Sequence, residues 1–134
     1  MLQAIKDFHL GIWSLAIGWK FWLLALITVN FFIPAFYLQT VEAQATIAAF
    51  FAGAMTGVVL VKVQGFTRLL GLMHIYWIPL VIFLAGRLGD FPATEPFGQW
   101  LRAVIILNGI SLAIDFVEVA RYFRGERKPT WPSL

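Results

Sequence analysis

The sequence has little charge and no cysteine. Charged residues make up 13% of its 134 residues and hydrophobic residues 60%, and the mean hydropathy is +0.82. Soluble domains carry a charge on about a quarter of their residues, so this composition excludes an ordinary soluble domain. The absence of cysteine excludes a disulfide, a thiolate nucleophile and a cysteine-ligated metal. Glycine-rich phosphate loops and the nucleophile turn of hydrolases are also missing, which disfavours an enzyme.

Charge is missing above all from long blocks. Residues 21–38, 43–61 and 69–86 contain no Asp, Glu, Lys or Arg, and residues 100–120 form a fourth apolar block. A membrane-spanning helix takes about 20 residues, and in hydrocarbon only a helix satisfies the backbone of a single segment. Short connections make consecutive helices antiparallel neighbours. The sequence therefore predicts an all-α integral membrane protein, a single membrane domain (1–134) whose four transmembrane helices form an antiparallel bundle. The predicted spans are at about 20–38, 43–62, 69–86 and 99–120.

Residues 1–18 predict a separate amphipathic helix. Its polar residues fall largely on one side, and apolar residues cover the rest; these polar residues are Gln3, Lys6, Asp7 and Ser14. A helix of this kind lies in the membrane interface. We expect it to end at Gly18 and to turn into the first span at Lys20. In the alternative, the first span begins earlier and runs tilted through Trp13.

Basic residues are distributed unequally between the two predicted membrane faces. Eight lie on the side of the termini, and two, Arg87 and Arg102, lie on the other side; the eight are Lys6, Lys20, Lys62, Arg68, Arg121, Arg124, Arg127 and Lys128. Because cytoplasmic loops carry an excess of Lys and Arg, we expect both termini in the cytoplasm, as in a multi-pass protein of the bacterial inner membrane. A basic tail at 121–134 would then contact anionic lipid. The bilayer is the expected partner, and nucleic acid is not, because no soluble basic face exists.

The fourth span keeps a polar edge. Asn108, Ser111, Asp115, Glu118 and Tyr122 follow one another at spacings of 3, 4, 3 and 4 residues, so all five project from one side of a helix. At 1.5 Å per residue, the acid at 115 lies about 7 Å inside the cytoplasmic boundary and the amide at 108 about 18 Å. A charge that faces lipid costs about 2.5–3.5 kcal/mol. We therefore expect this edge to face protein or water.

The other spans offer partners at matching depths. His74 lies about 9 Å inside the third span, close to the depth of Asp115, and Trp77, one helical turn further on, is expected to wall the same place. Lys62 and Arg68 flank the same boundary, and Asn30 lies near the midplane. Together these residues predict a polar site that opens to the cytoplasm. Its predicted members are Asp115, Glu118, His74, Asn108, Ser111, Arg68, Lys62 and Asn30.

This site supports two functions of different classes. An ionisable residue within a membrane is a candidate functional residue, so the first is a channel or transporter-like protein that handles a proton or a cation through Asp115, assisted by His74 and Glu118. In the second, the carboxylates are salt-bridged to Lys62, Arg68 or Arg121 and only anchor the bundle. The protein would then be a non-catalytic accessory, assembly or scaffold subunit of a larger membrane complex.

Three other chemistries use the same residues. A haem or quinone site at His74 needs a second ligand, and His9 is the only other histidine in the chain. A metal site from His74, Asp115 and Glu118 has three donors, which matches the ligand count of a catalytic metal centre. Ser111 supplies the hydroxyl that nucleophilic catalysis would need. The sequence favours none of these, and the cofactor stays unknown.

A stripe of small residues runs along the second span. Ala49, Gly53 and Gly57 are spaced four apart, a pattern that lets two helices approach closely. It predicts either the seam of a homodimer or other homo-oligomer, or packing against another helix of the same bundle. Trp13, Trp19, Trp22 and Trp100 are expected at the membrane interfaces, and Pro34 and Pro79 are expected to kink the first and third spans.

Overall fold

The computed structural model describes residues 1–128, which are almost entirely helical and contain no strand. It has five α-helices: α1 (Leu2–Trp13), α2 (Ile17–Ile27), α3 (Val41–Gln64), α4 (Trp77–Gly86) and α5 (Pro96–Phe123). A π-helix covers Thr28–Phe32, and 3₁₀ helices cover Pro34–Tyr37, Arg68–His74 and Leu88–Asp90. Four stretches are long and apolar enough to cross a membrane: Ile17–Tyr37, Val41–Gln64, Arg68–Asp90 and Pro96–Phe123. The predicted fold class is confirmed, and the chain is a multi-pass integral membrane protein. Residues 129–134 of the predicted basic tail lie outside the described residues.

Contacts at its two ends show that the bundle is antiparallel. α3 begins at a cap in which the amide of Ala43 donates to Thr40 Oγ1 at 3.3 Å. Beside this cap, Arg87 from the end of the third span donates from Nε to Glu42 Oε1 at 2.8 Å. α3 ends at Gln64, and the following residue, Gly65, has a φ of 73°, a left-handed value that glycine adopts without strain. The chain therefore turns back at once, so the third span begins where the second ends.

The N-terminal helix packs on the bundle. Ala4, Phe8 and Gly11 are buried, and Phe8 joins Val61 and Phe66 in a small core at the end of α3. α1 ends at Trp13, not at Gly18 as expected, because residue 16 adopts an extended backbone (ψ 152°) that separates α1 from α2. The separate helix is thus observed. Its location in the membrane interface stays a prediction.

The first span is irregular just before Pro34. In the π-helix Thr28–Phe32, backbone hydrogen bonds join residues five apart, as from the amide of Ile33 to the carbonyl of Thr28. Side chains donate hydrogen bonds to two backbone carbonyls of this region. Trp100 Nε1 donates to Val29 O at 2.8 Å, and Asn30 Nδ2 donates to Leu26 O at 2.9 Å. The indole of Trp100 is only 3% exposed and lies in the bundle core. Trp100 is therefore not an exposed interfacial anchor, contrary to the prediction, because its N–H binds a carbonyl inside the bundle.

The third span is not α-helical throughout, contrary to prediction. Its first seven residues, Arg68–His74, form a 3₁₀ helix, and the α-helix begins only at Trp77. This 3₁₀ segment lies against both α3 and α5. A Cβ on Gly53 of α3 would lie 2.8 Å from the carbonyl oxygen of Met73, and a Cβ on Gly71 would lie 3.1 Å from that of Asp115. Glycine thus lets three backbones approach closely.

The small-residue stripe is used within the chain. Met73 covers Gly53, and both Phe8 and Met73 cover Gly57. The packing alternative is therefore correct for these two glycines, and a homodimer seam built on them is wrong, because the backbone of Met73 covers Gly53 and the side chains of Phe8 and Met73 cover Gly57. Ala49 lies one turn before Gly53, nearer the start of α3, and lines an open groove between α3 and α4.

The main core fills the half of the bundle that lies away from the termini. Its buried members are hydrophobic side chains from all four spans, and they fill the space between the helices in that half. They are Leu26, Val29, Ala43, Trp77, Leu80, Leu84, Phe97, Trp100, Leu101 and Val104.

Candidate functional site: a histidine and aspartate pair within the bundle

The centre of the site is a contact between the third and fourth spans. His74 Nδ1 lies 2.7 Å from Asp115 Oδ2, and the two side chains are 16% and 17% exposed. At about 2.0 Å per residue in a 3₁₀ helix, His74 lies about 12 Å from the start of its span. Asp115 lies about 12 Å from the end of α5 at 1.5 Å per residue. The two groups thus meet because their depths agree and Gly71 brings the segment against the α5 backbone.

Trp77 fixes one face of the imidazole. Its ring stacks on that of His74 with centroids 4.1 Å apart and an angle of 12° between the planes. Trp77 itself is only 3% exposed, so the indole is a rigid wall. The expectation that Trp77 walls this place agrees with the geometry. Stacking leaves His74 Nδ1 directed at the carboxylate, and an indole face also attracts a positively charged ring.

A ring of four charged groups closes the end of the bundle beside this pair. Arg68 pairs with Glu118, and Arg121 Nη1 lies 3.4 Å from the other oxygen of that carboxylate. Glu126 completes the ring, with Oε2 at 2.7 Å from Arg121 Nη2 and 3.3 Å from Arg68 Nε. The hydrogen bond from Arg121 holds the pKa of Glu126 below its ordinary value. Glu118 therefore belongs to a salt-bridge network and leaves His74 and Asp115 as a pair.

Two amides pair deeper in the bundle. Asn30 Nδ2 donates to Asn108 Oδ1 at 2.7 Å, and Asn108 Nδ2 donates to Asn30 Oδ1 at 2.8 Å. Both residues are fully buried. The polar edge of α5 thus runs from the charged ring through Asp115 to this amide pair, and the apolar core begins beyond it.

Two predicted members differ from the expected arrangement. Lys62 is exposed and has no ion pair within residues 1–128, so it does not join the cluster. Ser111 is buried on the polar edge but makes no hydrogen bond to His74 or Asp115 in the described part of the chain. The residue types for nucleophilic catalysis are present, yet this arrangement does not form a triad.

The structure adds charged pairs that sequence analysis missed. Glu126 lies beyond the fourth span, and no spacing pattern linked it to Arg68. At the opposite membrane face, Glu42 is only 3% exposed and binds Arg87, which also contacts Asp90 at 3.3 Å. A signal for this second pair was available, because Glu42 and Arg87 are the charged residues next to two uncharged blocks on the same predicted face.

The geometry also bears on the haem and metal hypotheses. His9 is exposed on α1, and its Nδ1 contacts the carbonyl of Ile5 at 2.8 Å, so the two histidines do not converge within the described chain. Within residues 1–128, no group of three His, Cys, Asp or Glu side chains is placed to share a metal ion. The carboxylate of Glu118 instead contacts two arginines.

Two open grooves lie on the sides of the bundle. One, of about 490 Å³, separates α2 from α5, and the other, of about 410 Å³, separates α3 from α4. Neither groove is lined by His74 or Asp115.

No protein-family model, curated protein sequence or solved structure matches the chain.

Proposed function

We propose that this membrane protein binds and releases a proton at the His74–Asp115 pair. The observation that carries the proposal is the contact of 2.7 Å between an imidazole nitrogen and a carboxylate oxygen that are both about one-sixth exposed inside a membrane bundle. Imidazole is the side chain that changes charge near neutral pH, and an intramembrane carboxylate is a candidate for proton transfer. One acid and one imidazole suit a proton better than a hard cation such as Ca²⁺, which takes six to eight oxygen ligands.

The surroundings favour loading from one side of the membrane. Polar groups lead from the charged ring at the end of the bundle to Asp115 and on to the amides of Asn30 and Asn108. Beyond the amides, Leu84, Leu101 and Val104 are completely buried and apolar. A proton entering from the side of the termini therefore meets a barrier near the midplane. This arrangement supports a carrier-like site in preference to an open channel, and the positive charge of that side supports a cytoplasmic entrance.

Infrared spectroscopy of the protein in lipid vesicles tests proton binding directly. A step in pH should produce a carboxyl C=O band that Asp115→Asn removes and that His74→Gln shifts, because the imidazole contacts that carboxylate. Asp7→Asn is the matched control: it makes the same chemical change in α1 at a half-buried acid outside the proposed site. A band that remains in Asp115→Asn would refute the proposal. Proton flux into the same vesicles, followed with an entrapped pH dye, then shows whether binding is coupled to transport.

The second candidate function is an accessory or scaffold subunit, in which the polar edge serves only to hold the helices together. Within residues 1–128, no buried side-chain nitrogen or oxygen lacks a hydrogen-bond partner, and this complete pairing is what a static bundle needs. Purification from the native membrane in mild detergent separates the candidates. A stoichiometric partner, together with an unchanged carboxyl band in Asp115→Asn, would favour the subunit. A homo-oligomer, which light scattering of the same preparation measures, also stays a proposal.

A further inference from the structure

A cleft lies between the first and fourth spans on the side of the bundle. It measures about 490 Å³ and is lined by Ala16, Gly18, Trp19, Trp22, Ile110 and Ile114. A Cβ added at Gly18 would meet no atom within 4 Å, so the helices are separated here. The amide pair of Asn30 and Asn108 joins the same two spans deeper in the bundle. The cleft is thus closed near the midplane and open towards the side of the termini.

The α5 wall of this cleft ends in cations. Ile110, Ile114, Val117, Arg121 and Arg124 follow one another at spacings of 4, 3, 4 and 3 residues, so they form one stripe along the helix. This stripe is distinct from the polar edge that carries Asp115. Ile110 and Ile114 line the cleft, and the helical spacing continues their row to the two arginines, which lie towards the end of α5 beyond the cleft. Arg121 is neutralised by Glu118 and Glu126, whereas Arg124 is exposed and has no ion pair within residues 1–128.

The α2 wall supplies aromatic rings near the start of the first span. Trp19 is 48% exposed and lies in the first turn of α2, and Trp22 lies one turn deeper. Indole rings favour the headgroup level of a bilayer because they combine an apolar body with a polar N–H. The cleft therefore combines apolar side chains with two indole rings, and an unneutralised guanidinium follows on the same stripe of α5.

We propose that this cleft binds one anionic phospholipid of the bilayer. An acyl chain lies along Gly18, Trp22, Ile110 and Ile114, and the headgroup phosphate binds Arg124. Charge complementarity selects the ligand, since a guanidinium pairs strongly with phosphate oxygens and a net negative headgroup adds attraction that a zwitterionic one lacks. The inference does not depend on the proton site, because neither His74 nor Asp115 lines the cleft.

Tryptophan quenching by brominated lipids tests this site. The protein is placed in vesicles that contain an equal fraction of phosphatidylglycerol or phosphatidylcholine, each brominated on its acyl chains. The variant Trp19→Phe/Trp22→Phe identifies the part of the signal that comes from the cleft. We expect phosphatidylglycerol to occupy the cleft with roughly fivefold higher relative affinity, the preference that one additional cation gives near an anionic surface.

Charge and shape are then varied separately. Arg124→Gln should abolish the preference, while Lys62→Gln, which removes an equally exposed cation from the same side of the bundle, should retain it. Gly18→Leu should reduce quenching by filling the cleft, and Gly86→Leu is its control, because Gly86 also has open space around it but lies in α4. Equal quenching by the two lipids, or equal effects of the two charge variants, would show ordinary boundary lipid and overturn the proposal. Absence of quenching by either lipid in a dimeric preparation would show that a second copy covers the cleft, which also overturns it.

Discussion

Asn30 and Asn108 exchange two amide hydrogen bonds of 2.7 and 2.8 Å in the middle of the bundle, and neither side chain is accessible. Each lies about 20 Å along its helix from the end where the termini lie. The pair joins the first and fourth spans at the boundary between the polar edge and the apolar core. It therefore holds the two spans in register and closes the polar region at the same point.

The amide pair predicts non-additive destabilisation. Asn30→Leu or Asn108→Leu alone leaves a buried amide unpaired, and we expect each to lower the free energy of unfolding by about 1–3 kcal/mol. The double variant should lose less than the sum of the two, because no unpaired amide remains. Unfolding in mixed detergent measures the three values. Additive losses would show that the two amides act independently.

The close approach of the 3₁₀ segment to α3 predicts that Gly53 is intolerant of a side chain. A Cβ there would lie 2.8 Å from the backbone oxygen of Met73, so Gly53→Ala should destabilise by about 1–3 kcal/mol through overpacking. Gly109→Ala is the control, since a Cβ at 109 meets open space. It should be neutral or stabilising by up to about 1 kcal/mol, because alanine favours a helix. Thermal unfolding in detergent compares the two, and equal midpoints would contradict the observed packing.

The ion pair at the opposite membrane face predicts an asymmetry between its two arms. Arg87→Gln removes the partner of Glu42, which is 3% exposed, whereas Asp90→Asn removes only the partner that is 60% exposed. We expect Arg87→Gln to lower the stability by about 1–3 kcal/mol, less than for a fully buried pair because Arg87 is 40% exposed. Asp90→Asn should change it by at most about 1 kcal/mol. Chemical denaturation of the two purified variants measures both losses of stability. A larger loss in Asp90→Asn would show that the exposed pair, and not the buried one with Glu42, carries the stabilisation.

The charged ring predicts a dependence of stability on pH at its exposed acid. The hydrogen bond from Arg121 lowers the pKa of Glu126 in the folded protein. The unfolded chain therefore takes up a proton first on acidification. The stabilisation is complete above the ordinary glutamate value of 4.5 and is lost as the pH falls through the lower folded value. Glu126→Gln should remove this part of the acid sensitivity, which melting curves between about pH 6 and pH 3 measure. An unchanged curve would show that the ring does not stabilise the fold.

Sequence reasoning went furthest with the polar edge of the fourth span. The 3, 4, 3, 4 spacing and the helical rise placed Asp115 at nearly the depth of His74 and Asn108 at that of Asn30, and the structure brings each of these pairs into contact. Depth and spacing are local properties of a helix, so they can be read from one sequence. The role of these residues in proton handling stays a prediction.

Sequence reasoning went wrong where backbones touch. It assumed an α-helix throughout the third span, an interfacial anchor at Trp100 and a Lys62 within the cluster, and it left open whether Gly53 and Gly57 form a homodimer seam or pack within the bundle. The helix type of the third span and the packing of the two glycines depend on how closely the 3₁₀ segment approaches α3. The position of Trp100 depends on which carbonyl a π-helix leaves unpaired. None of these relations has a local pattern in the sequence.

The sequence by itself determined that the chain crosses a membrane four times, because backbone groups in hydrocarbon must be satisfied within each segment and the uncharged blocks have the required length. It also determined which side of α5 is polar. Tertiary structure alone decided which partners the two acids of α5 contact: Glu118 contacts Arg68 and Arg121, and Asp115 contacts His74. The physical reason is that ion pairing depends on a few ångströms of lateral distance between helices, which the close packing of glycine backbones sets.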